Sequence, residues 1–283
     1  MIPGSIADDL PFGLISSKPL GGGSINQVYF IQTKEGEFCL KYNYSAKYPG
    51  MFEAEARGLT LLASTAAIRV PGVVFWKSLK DYDYLLLEYI RPAYVCSSFM
   101  SDFGNSLACM HKYSAERFGL DHDNYMGSLT QSNRFHDDWC SFFIEERLRK
   151  QLFLARAAGL LTGVHEKKFE ALFCRLGALL PVEKPSLLHG DLWSGNFIYA
   201  ENGRACLIDP AIYYGHREVD VAMTTLFGGF GKEFYNSYDE SWPMEPGWAE
   251  RLEIYNLYPL LVHLNLFGSG YLASITTTLD RFS

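Results

Sequence analysis

One short, glycine-broken segment, LLHGDLWSGN at residues 187–196, carries three polar side chains that could do chemistry together. His189, Asp191 and Asn196 form the pattern H-x-D-x-x-x-x-N. In phosphoryl transfer, this spacing sets the aspartate against the acceptor hydroxyl and the asparagine against Mg²⁺. We expect His189 to support the loop through hydrogen bonds and not to transfer protons. The alternative is a tight turn decorated with polar residues, and the rest of the chain has to decide between the two.

A second acidic residue for a metal ion follows further along the chain. Asp209 lies at the end of the strand-like run ACLIDP, and the turn ENGR separates this run from NFIYA, which begins at Asn196. Pairing of the two runs would bring Asn196 and Asp209 side by side. Mg²⁺ favours hard oxygen ligands and keeps several waters, so one carboxylate, one amide and the phosphates of a nucleotide suffice. We therefore predict Asn196 and Asp209 as metal ligands.

A lysine within an apolar strand is the next candidate. Lys41 lies in FCLKYN, and an unpaired ammonium is costly to bury there. Glu55 is its natural partner, because Glu55 begins the helical pattern E-x-x-x-L-x-x-L. Glu53 lies about 200° round the helix from Glu55 at 100° per residue. The pair is either a structural ion pair or the means by which Glu55 holds Lys41 against the α- and β-phosphates of ATP.

The glycine stretch LGGGSINQV stands between two predicted strands. Glycine there lets backbone amides approach phosphate oxygens without a Cβ in the way. The stretch resembles the glycine-rich loop of kinases, with Asn26 where the third glycine would stand. A plain hairpin turn is an equally good interpretation. On the kinase interpretation, Gly21, Gly23, Ser24 and Val28 are predicted to bind the nucleotide.

The elements that must position these residues form two groups. Three short strands in residues 14–43, a helix at 51–63 and the two strands VVFWKSL and YLLLEYI make a small α+β lobe that ends near Ile90. Long amphipathic runs follow, such as DDWCSFFIEERLRKQLFLARAAG. We predict one domain over 1–90, a second and mainly helical domain over 91–283, and a ligand cleft between them.

The composition of the chain indicates which binding partners and which cellular compartment to expect. The chain has 283 residues, is 48% hydrophobic and carries a formal net charge of −7. This charge argues against nonspecific binding to nucleic acid or to an anionic membrane, which needs a basic surface. The six cysteines show no CxxC pair and no zinc spacing, as expected for reduced thiols. With no visible signal peptide or membrane span, we expect a cytoplasmic protein.

The length of the segment after Asp209 indicates the size of the acceptor. Only ten residues separate Asp209 from Asp220, which opens the apolar helix DVAMTTLF. That leaves no room for the platform on which protein kinases dock a peptide. A long, mostly helical stretch lies instead between the hinge and HGDLWSGN. A helical pocket of this kind suits a small molecule. We expect Asp220 itself to tie down the loop that carries Asp191.

Two stretches, LLHGDLWSGNF and IDPAIYYGHREVDVAM, resemble the fructosamine kinase (ketosamine 3-kinase) family. The likeness extends to FEAEARGL, FGLDHDNYMGSLTQSN, DDWCSFFIEERL and LYPLLVHLNLFG. That family has the aminoglycoside-phosphotransferase-like fold, a protein-kinase-like α+β fold of two lobes. The resemblance implies Asp191 as catalytic base, Asn196 and Asp209 as metal ligands, and Lys41 with Glu55 as the phosphate-positioning pair. It also implies backbone contacts to adenine from Glu88 and Ile90.

The family's reaction implies ATP and Mg²⁺ as cofactors and a glycated amine, free or protein-bound, as substrate. The kinase phosphorylates the third-carbon hydroxyl of a ketosamine (fructosamine, ribulosamine or erythrulosamine), and the unstable product then falls apart to free the amine. Some family members carry a cysteine where Ser24 stands, so redox control through this loop is in doubt here. The alternatives are transfer to another small acceptor such as an aminoglycoside, choline or a free sugar, a nucleotide-binding module without chemistry, and a purely structural protein.

Three further residues are predicted to contact the acceptor. Trp193 is placed to stack on the sugar or its amine through a cation–π contact, although packing under the loop is an equally good interpretation. His216 and Arg217, in GHREVD, could line the acceptor site, although anchoring the loop fits them better.

Overall fold

The computed structural model describes residues 1–21, 25–94, 96–201 and 203–283. Its largest sheet has five antiparallel strands, β1 (Leu14–Pro19), β2 (Gln27–Thr33), β3 (Glu37–Tyr44), β4 (Val73–Ser78) and β5 (Tyr82–Glu88). They lie in the order β1-β2-β3-β5-β4, which places β3 at the centre. The five strands predicted from the sequence are therefore confirmed.

The central strand β3 carries Lys41 into the interior. Lys41 lies opposite Val28 on one side and Leu85 on the other, and it is only 4% exposed. A short helix, α1 (Gly4–Asp9), adds Ile6 to a hydrophobic cluster with residues of the sheet. The sequence analysis did not predict α1, because six residues are too few to show a helical repeat of apolar positions.

Helix α2 (Met51–Ser64) confirms the predicted helix that carries Glu55. Phe52, Leu59 and Leu62 pack into the main hydrophobic core together with residues of the helical part of the chain. This shared core fixes α2 against both parts of the molecule. A domain boundary near residue 90 remains a prediction.

Helix α2 is also tied to the helical part near both of its ends. Just before its first residue, the hydroxyl of Tyr125 donates a 2.9 Å hydrogen bond to the carbonyl of Pro49. At the other end, the hydroxyl of Tyr113 donates a 2.6 Å hydrogen bond to the carbonyl of Thr65. The two contacts act on opposite sides of Glu55, so they hold this residue in place along the helix axis.

The rest of the chain is mainly helical, as predicted. Its helices are α3 (Phe99–His111), α4 (Trp139–Phe142), α5 (Arg149–Ala157), α6 (Gly163–Leu179), α7 (Glu218–Leu226), α8 (Lys232–Ser241), α9 (Trp248–Phe267) and α10 (Leu272–Phe282). A π-helix, Phe143–Leu148, joins α4 to α5, and a 3₁₀ turn, Ser269–Tyr271, precedes α10. Within the described part of the chain, no helix is both long and apolar enough to cross a membrane.

Three small antiparallel strand pairs lie among these helices. They are β6 (Asn124–Met126) with β7 (Leu129–Gln131), β8 (Ser186–Leu188) with β11 (Tyr213–Gly215), and β9 (Phe197–Tyr199) with β10 (Ala205–Leu207). The pairing of β9 with β10 was predicted and is confirmed. The other two pairs were missed, because three-residue strands are too short to show an alternating pattern. The connection from β8 to β9 holds the HGDLWSGN motif, and the one from β10 to β11 begins near Asp209.

Candidate active site

Lys41 joins two carboxylates that come from distant parts of the chain. Its Nζ lies 2.6 Å from Oε1 of Glu55 and 2.7 Å from Oδ1 of Asp209. The ion pair predicted between Lys41 and Glu55 is therefore present, and Asp209 completes it as a third member. The side chain of Glu55 is 9% exposed, whereas that of Asp209 is 50% exposed. Asp209 is thus the member that faces the open cleft.

Burial and charge act against each other in this group. Burial alone would lower the pKa of Lys41, but the carboxylates of Asp209 and Glu55 raise it above its ordinary value. For Glu55, burial raises the pKa against the opposing influence of Lys41. The ammonium therefore stays charged at neutral pH, and it supplies a fixed positive charge at the floor of the cleft.

Close backbone approach shapes the loop that carries Asp191. Gly190 adopts a φ of +82°, and a Cβ at this position would lie 2.0 Å from the carbonyl oxygen of Ala211. The N–H of Ala211 in turn donates to the carbonyl of His189 at 2.9 Å. Only glycine fits here, because any side chain would push the loop away from the segment that follows Asp209.

Asp220 holds this loop from below. Its Oδ2 accepts the N–H of His189 at 2.7 Å, and its Oδ1 accepts the N–H of Gly190 at 2.9 Å. His111 donates a third hydrogen bond from Nε2 at 3.1 Å. Burial works to raise the pKa of Asp220, but the hydrogen bond from His111 helps to hold it below its ordinary value. The anchoring role expected for Asp220 is what this geometry provides.

His189 uses both ring nitrogens within the loop. Its Nε2 donates to the carbonyl of Ile208 at 2.9 Å, while its Nδ1 accepts the N–H of Asp191 at 3.3 Å. Burial lowers the pKa of His189, so the ring is neutral at neutral pH. This arrangement matches the supporting role predicted for His189.

Asp191 is oriented by Asn196. The amide Nδ2 of Asn196 donates to Oδ2 of Asp191 at 2.9 Å and to its backbone carbonyl at 2.8 Å. Burial raises the pKa of Asp191 to about 7. A carboxylate with a pKa near neutrality is well matched to accepting a proton from a hydroxyl group.

Asn196 and Asp209 lie on neighbouring segments and line the same two cavities. The N–H of Ile208 donates to the carbonyl of Asn196 at 3.0 Å, and Asp209 follows directly with a left-handed φ of 53°. With Nδ2 of Asn196 bound to Asp191, its amide oxygen is the atom left for a metal. In the described residues, no group of three or more His, Cys, Asp and Glu side chains could hold a metal ion. An amide and a carboxylate fit Mg²⁺ that takes its other ligands from phosphates and water.

A cavity of about 370 Å³ lies between the five-stranded sheet and the loop after Asp191. It is lined by Gly21, Val28, Glu88 and Ile90, four of the residues for which nucleotide binding is a prediction. The side chain of Glu88 is turned to Arg69 at 2.6 Å, and the N–H of Glu88 is bound to the carbonyl of Gly72. Glu88 can therefore offer adenine its carbonyl oxygen only. Gly23 and Ser24, which were also predicted to bind nucleotide, lie outside the described residues.

A second cavity, of about 210 Å³, adjoins the first one. The residues common to both cavities are Val28, Lys41, Trp193, Asn196 and Asp209. Asp191 lines only the second cavity. The catalytic and metal-ligand candidates thus stand at the junction of the two spaces, which is where a phosphoryl group would pass from donor to acceptor.

Sequence reasoning missed most of the wall of the second cavity. Residues 124–127 of the β6–β7 hairpin line one side, and His263, Leu266 and Phe267 of α9 line another. The apolar spacing of α9 indicated only a packed helix. The hairpin lies within FGLDHDNYMGSLTQSN, so the resemblance noted above was the one available signal for it.

Trp193 contacts both cavities and packs within the loop as well. Its ring meets Phe227 edge-on at a centroid distance of 5.7 Å. A Cβ on Gly195 would lie 2.3 Å from the indole ring, so Gly195 makes the room that this ring needs. Both interpretations of Trp193, substrate contact and packing, therefore have a structural basis.

His216 and Arg217 lie away from the cleft. His216 stacks on Trp139 at 4.6 Å, and burial lowers its pKa to about 3. Arg217 donates to Glu183 and lies over the ring of Trp242. In the described part of the chain, neither residue lines the two cavities. The prediction that they contact the acceptor is corrected, because both are held in the interior as structural anchors.

Comparisons with known proteins identify relatives of this chain. The profile of the family described as fructosamine kinase matches residues 7–283. A protein of Enterococcus faecium named "Probable ketoamine kinase" is 40% identical over 266 residues, which are 93% of this chain and 94% of that protein. The chloroplastic protein-ribulosamine 3-kinase of Arabidopsis thaliana is 39% identical over 268 residues, or 93% of this chain and 81% of that protein.

Solved structures share the fold. A candidate fructosamine-3-kinase of Thermobifida fusca matches with a TM-score of 0.89 at 31% identity, covering 98% of this chain and 96% of that one. A mutant of the aminoglycoside phosphotransferase APH(4)-Ia, in complex with AMP-PNP and hygromycin B, matches with a TM-score of 0.65 over 98% and 95% of the two chains. At 14% identity, this second likeness shows the fold alone. The predicted protein-kinase-like α+β fold is confirmed.

Proposed function

The chain belongs to the fructosamine kinase family and is a phosphotransferase, and from that premise we propose that it transfers the γ-phosphoryl group of ATP to the third-carbon hydroxyl of a ketosamine. The observation that carries this proposal is the junction of the two cavities at Lys41, Asn196 and Asp209, with Asp191 on the acceptor side. The sugar of the substrate is fructosamine, ribulosamine or erythrulosamine, and its amine is free or part of a protein.

Asp191 is the catalytic base in this proposal. It accepts the proton of the acceptor hydroxyl while the new O–P bond forms and the bond between the γ-phosphorus and the leaving oxygen of ADP breaks. Its orientation comes from the amide of Asn196, and its raised pKa matches the task. Holding the acceptor oxygen in line with the phosphorus supplies most of the remaining catalysis.

The phosphates of ATP meet positive charge from two sources. Lys41, held by Glu55, is placed to bind the α- and β-phosphates. Asn196 and Asp209 would hold Mg²⁺, which neutralises charge that develops on the phosphates. The apolar part of the first cavity takes adenine, with the carbonyl of Glu88 and the N–H of Ile90 as its hydrogen-bond partners.

The test is ADP release from MgATP with ribulosyl-lysine and fructosyl-lysine as acceptors, beside kanamycin, choline and a free sugar. Asp191→Asn serves as the blank. We expect turnover on the ketosamines that the variant abolishes. Turnover on kanamycin, choline or the free sugar alone would overturn the ketosamine assignment and leave a kinase of another acceptor. No turnover at all, together with MgATP binding, would also sink the ketosamine assignment.

We also propose a cytoplasmic location, supported by six cysteines that are all free thiols in the structure. The Arabidopsis relative is named as chloroplastic, so an organelle is the alternative location. Fractionation of the native host, followed by immunodetection of the full chain, tests this proposal, and recovery from an organelle fraction would contradict it.

A further inference from the structure

Two backbone carbonyls just after Asp209 receive hydrogen bonds from side-chain amides. Gln131 donates from Nε2 to the carbonyl of Ala211 at 3.0 Å. Asn124 donates from Nδ2 to the carbonyl of Ile212 at 2.8 Å. Both donors belong to the β6–β7 hairpin, so this hairpin supports the segment that follows the metal-ligand candidate.

The two donors are themselves fixed. Gln131 also donates to Oδ1 of Asn124 at 2.7 Å, and it accepts the hydroxyl of Tyr258 at 2.8 Å. Asn124 is 4% exposed, and Gln131 and Tyr258 are each 2% exposed. A buried amide that loses its partners pays the full cost of its desolvation. The orientation of each amide is therefore strongly determined.

A buried charge extends this network. Arg147, which is fully buried, donates from Nη2 to Oδ1 of Asn133 at 2.7 Å, and Asn133 donates to Oδ1 of Asn124 at 3.1 Å. The guanidinium also lies over the ring of Tyr213, 3.9 Å from its centroid. These residues come from FGLDHDNYMGSLTQSN and DDWCSFFIEERL, two stretches to which the proposed reaction gives no chemical role.

The segment from Asp209 to Ile212 lies between the catalytic loop and the hairpin. On the catalytic side, Ala211 is bound to His189 and packs against Gly190. On the hairpin side, Asn124 has two contacts, because it lines the acceptor cavity as well as holding Ile212. Asp209 starts this segment with a φ of 53°, which is unfavourable for a residue other than glycine unless its surroundings hold it there.

We propose that Gln131, Asn124 and Tyr258 are positioning residues that hold the carboxylate of Asp209 in place for the metal–nucleotide complex. Among the described residues, Gln131 and Tyr258 line neither of the two cavities, and all three residues act through the backbone of Ala211 and Ile212. This inference rests on the proposed function, since it assigns a support to the metal ligand of that reaction. The competing explanation is a set of buried hydrogen bonds that stabilises the fold and nothing more.

The experiment is a double-mutant cycle on MgADP binding, measured by calorimetry without any acceptor. Its four proteins are the wild type, Gln131→Met, Asp209→Asn and the double variant. We expect Gln131→Met to weaken MgADP binding about fivefold to tenfold, as for the loss of one buried hydrogen bond. In the Asp209→Asn background the same change should cost less than about twofold, because coupled residues are not additive. Binding of ADP with EDTA should stay within about twofold of the wild type in Gln131→Met, since the proposed support acts on a metal ligand. Asp209→Asn also removes a carboxylate from Lys41, so the double variant is compared with Asp209→Asn alone.

Gln151→Met is the matched control. Gln151 is also 2% exposed, its Oε1 accepts a 2.8 Å hydrogen bond from Asn265, and it is not among the described residues that line either of the two cavities. It should lower the melting temperature and leave MgADP binding unchanged. If Gln131→Met does not fold, Tyr258→Phe replaces it in the cycle, since this change removes one hydroxyl and keeps the amides of Gln131 and Asn124. We then expect a smaller loss of MgADP affinity, again reduced in the Asp209→Asn background.

Three outcomes would overturn the inference. The first is that Gln131→Met weakens MgADP binding equally in the wild-type and Asp209→Asn backgrounds. The second is that Gln131→Met weakens binding of metal-free ADP as much as it weakens binding of MgADP. The third is that MgADP affinity is unchanged in both Gln131→Met and Tyr258→Phe. A wild type that binds no MgADP would sink the proposed function itself, and the positioning role with it, so the two failures are distinguishable.

Discussion

The ammonium of Lys41 lies 2.7 Å from a carboxylate oxygen of Asp209, a residue that follows it by 168 positions. The contact joins the central strand of the sheet to the segment that follows β10. Glu55 shares the same ammonium from α2. One positive charge therefore holds together three elements that must all be in place for phosphoryl transfer.

Replacement of this charge should damage both stability and nucleotide binding. In Lys41→Met, the buried carboxylate of Glu55 loses its partner, which costs about 3–5 kcal/mol in comparable buried pairs. Urea unfolding should show this loss, and calorimetry should show MgADP binding weakened by at least about tenfold. Lys77→Met is the control, because Lys77 pairs with Asp9 at the surface, where solvent screens the attraction and an ion pair adds little stability. Equal stability losses in the two variants would contradict the assignment.

The raised pKa of Asp191 predicts a pH-dependent difference in stability between the wild type and Asp191→Asn. The pKa is about 7 in the folded protein against 3.8 ordinarily, and burial is the main cause. Between these two pH values the unfolded chain has already lost the proton that the folded chain retains. The free energy of unfolding of the wild type therefore falls as pH rises, and it stops falling above about pH 7. The variant cannot ionise at this position. The free energy of unfolding of Asp191→Asn, relative to that of the wild type, should therefore increase with pH over this range, by up to about 1.4 kcal/mol per unit of pKa shift.

Urea unfolding of both proteins across this pH range, in EDTA and without nucleotide, is the measurement. The comparison with the variant removes the contributions of all other titrating groups, which the two proteins share. Stability curves that run parallel from pH 4 to pH 8 would show that the pKa of Asp191 is not raised.

Trp193→Phe separates the two interpretations of the tryptophan. If the indole stacks on the sugar or its amine, the acceptor KM should rise about threefold to thirtyfold, as for the loss of a cation–π contact. If it only packs the loop, the melting temperature should fall while the acceptor KM stays the same. Phe227→Leu is the control, because Phe227 contacts the Trp193 ring but is not among the described residues that line either cavity.

Asp220→Asn should loosen the loop that carries the catalytic base. An amide keeps one acceptor oxygen but sets an NH₂ group against the N–H of His189 or Gly190. We expect a loss of roughly 2–4 kcal/mol in the free energy of unfolding and a fall in kcat that exceeds any change in nucleotide affinity. Asp137→Asn, at a residue whose side chain is 85% exposed and pairs with Arg117, should change neither. A fully active Asp220→Asn would remove the anchoring role.

The sequence predicted those parts of the site that depend on long elements and on characteristic spacing. The strand that holds Lys41, the helix that holds Glu55 and the turn from Asn196 to Asp209 all carry strong local patterns, and they lie where the patterns indicated. Their chemical roles remain predictions that the experiments above test.

The rest could not be predicted, because it depends on contacts between segments distant in sequence. Asn124 and Gln131 are ordinary polar residues in a short hairpin, and only the fold shows that they meet Ile212 and Ala211. The choice between acceptor contact and anchoring for His216 could be made only from the fold, for the same reason. His216 follows the segment from Asp209 to Ile212 closely in sequence, but its ring stacks on Trp139 in the interior. Its position in the chain did not indicate that it is buried.

The attachment of α2 near both ends has a consequence for the energetics of substrate binding. Some proteins must first populate a competent conformation, and their observed dissociation constant is then raised by the scarcity of that conformation. Here the contacts of Tyr125 with Pro49 and of Tyr113 with Thr65 keep Glu55 beside Lys41 as part of the fold. The Lys41–Glu55 ion pair, with its 2.6 Å contact, is thus built into the fold. Nucleotide binding energy is therefore not diverted to assembling this pair, and a larger share of it appears in the observed affinity.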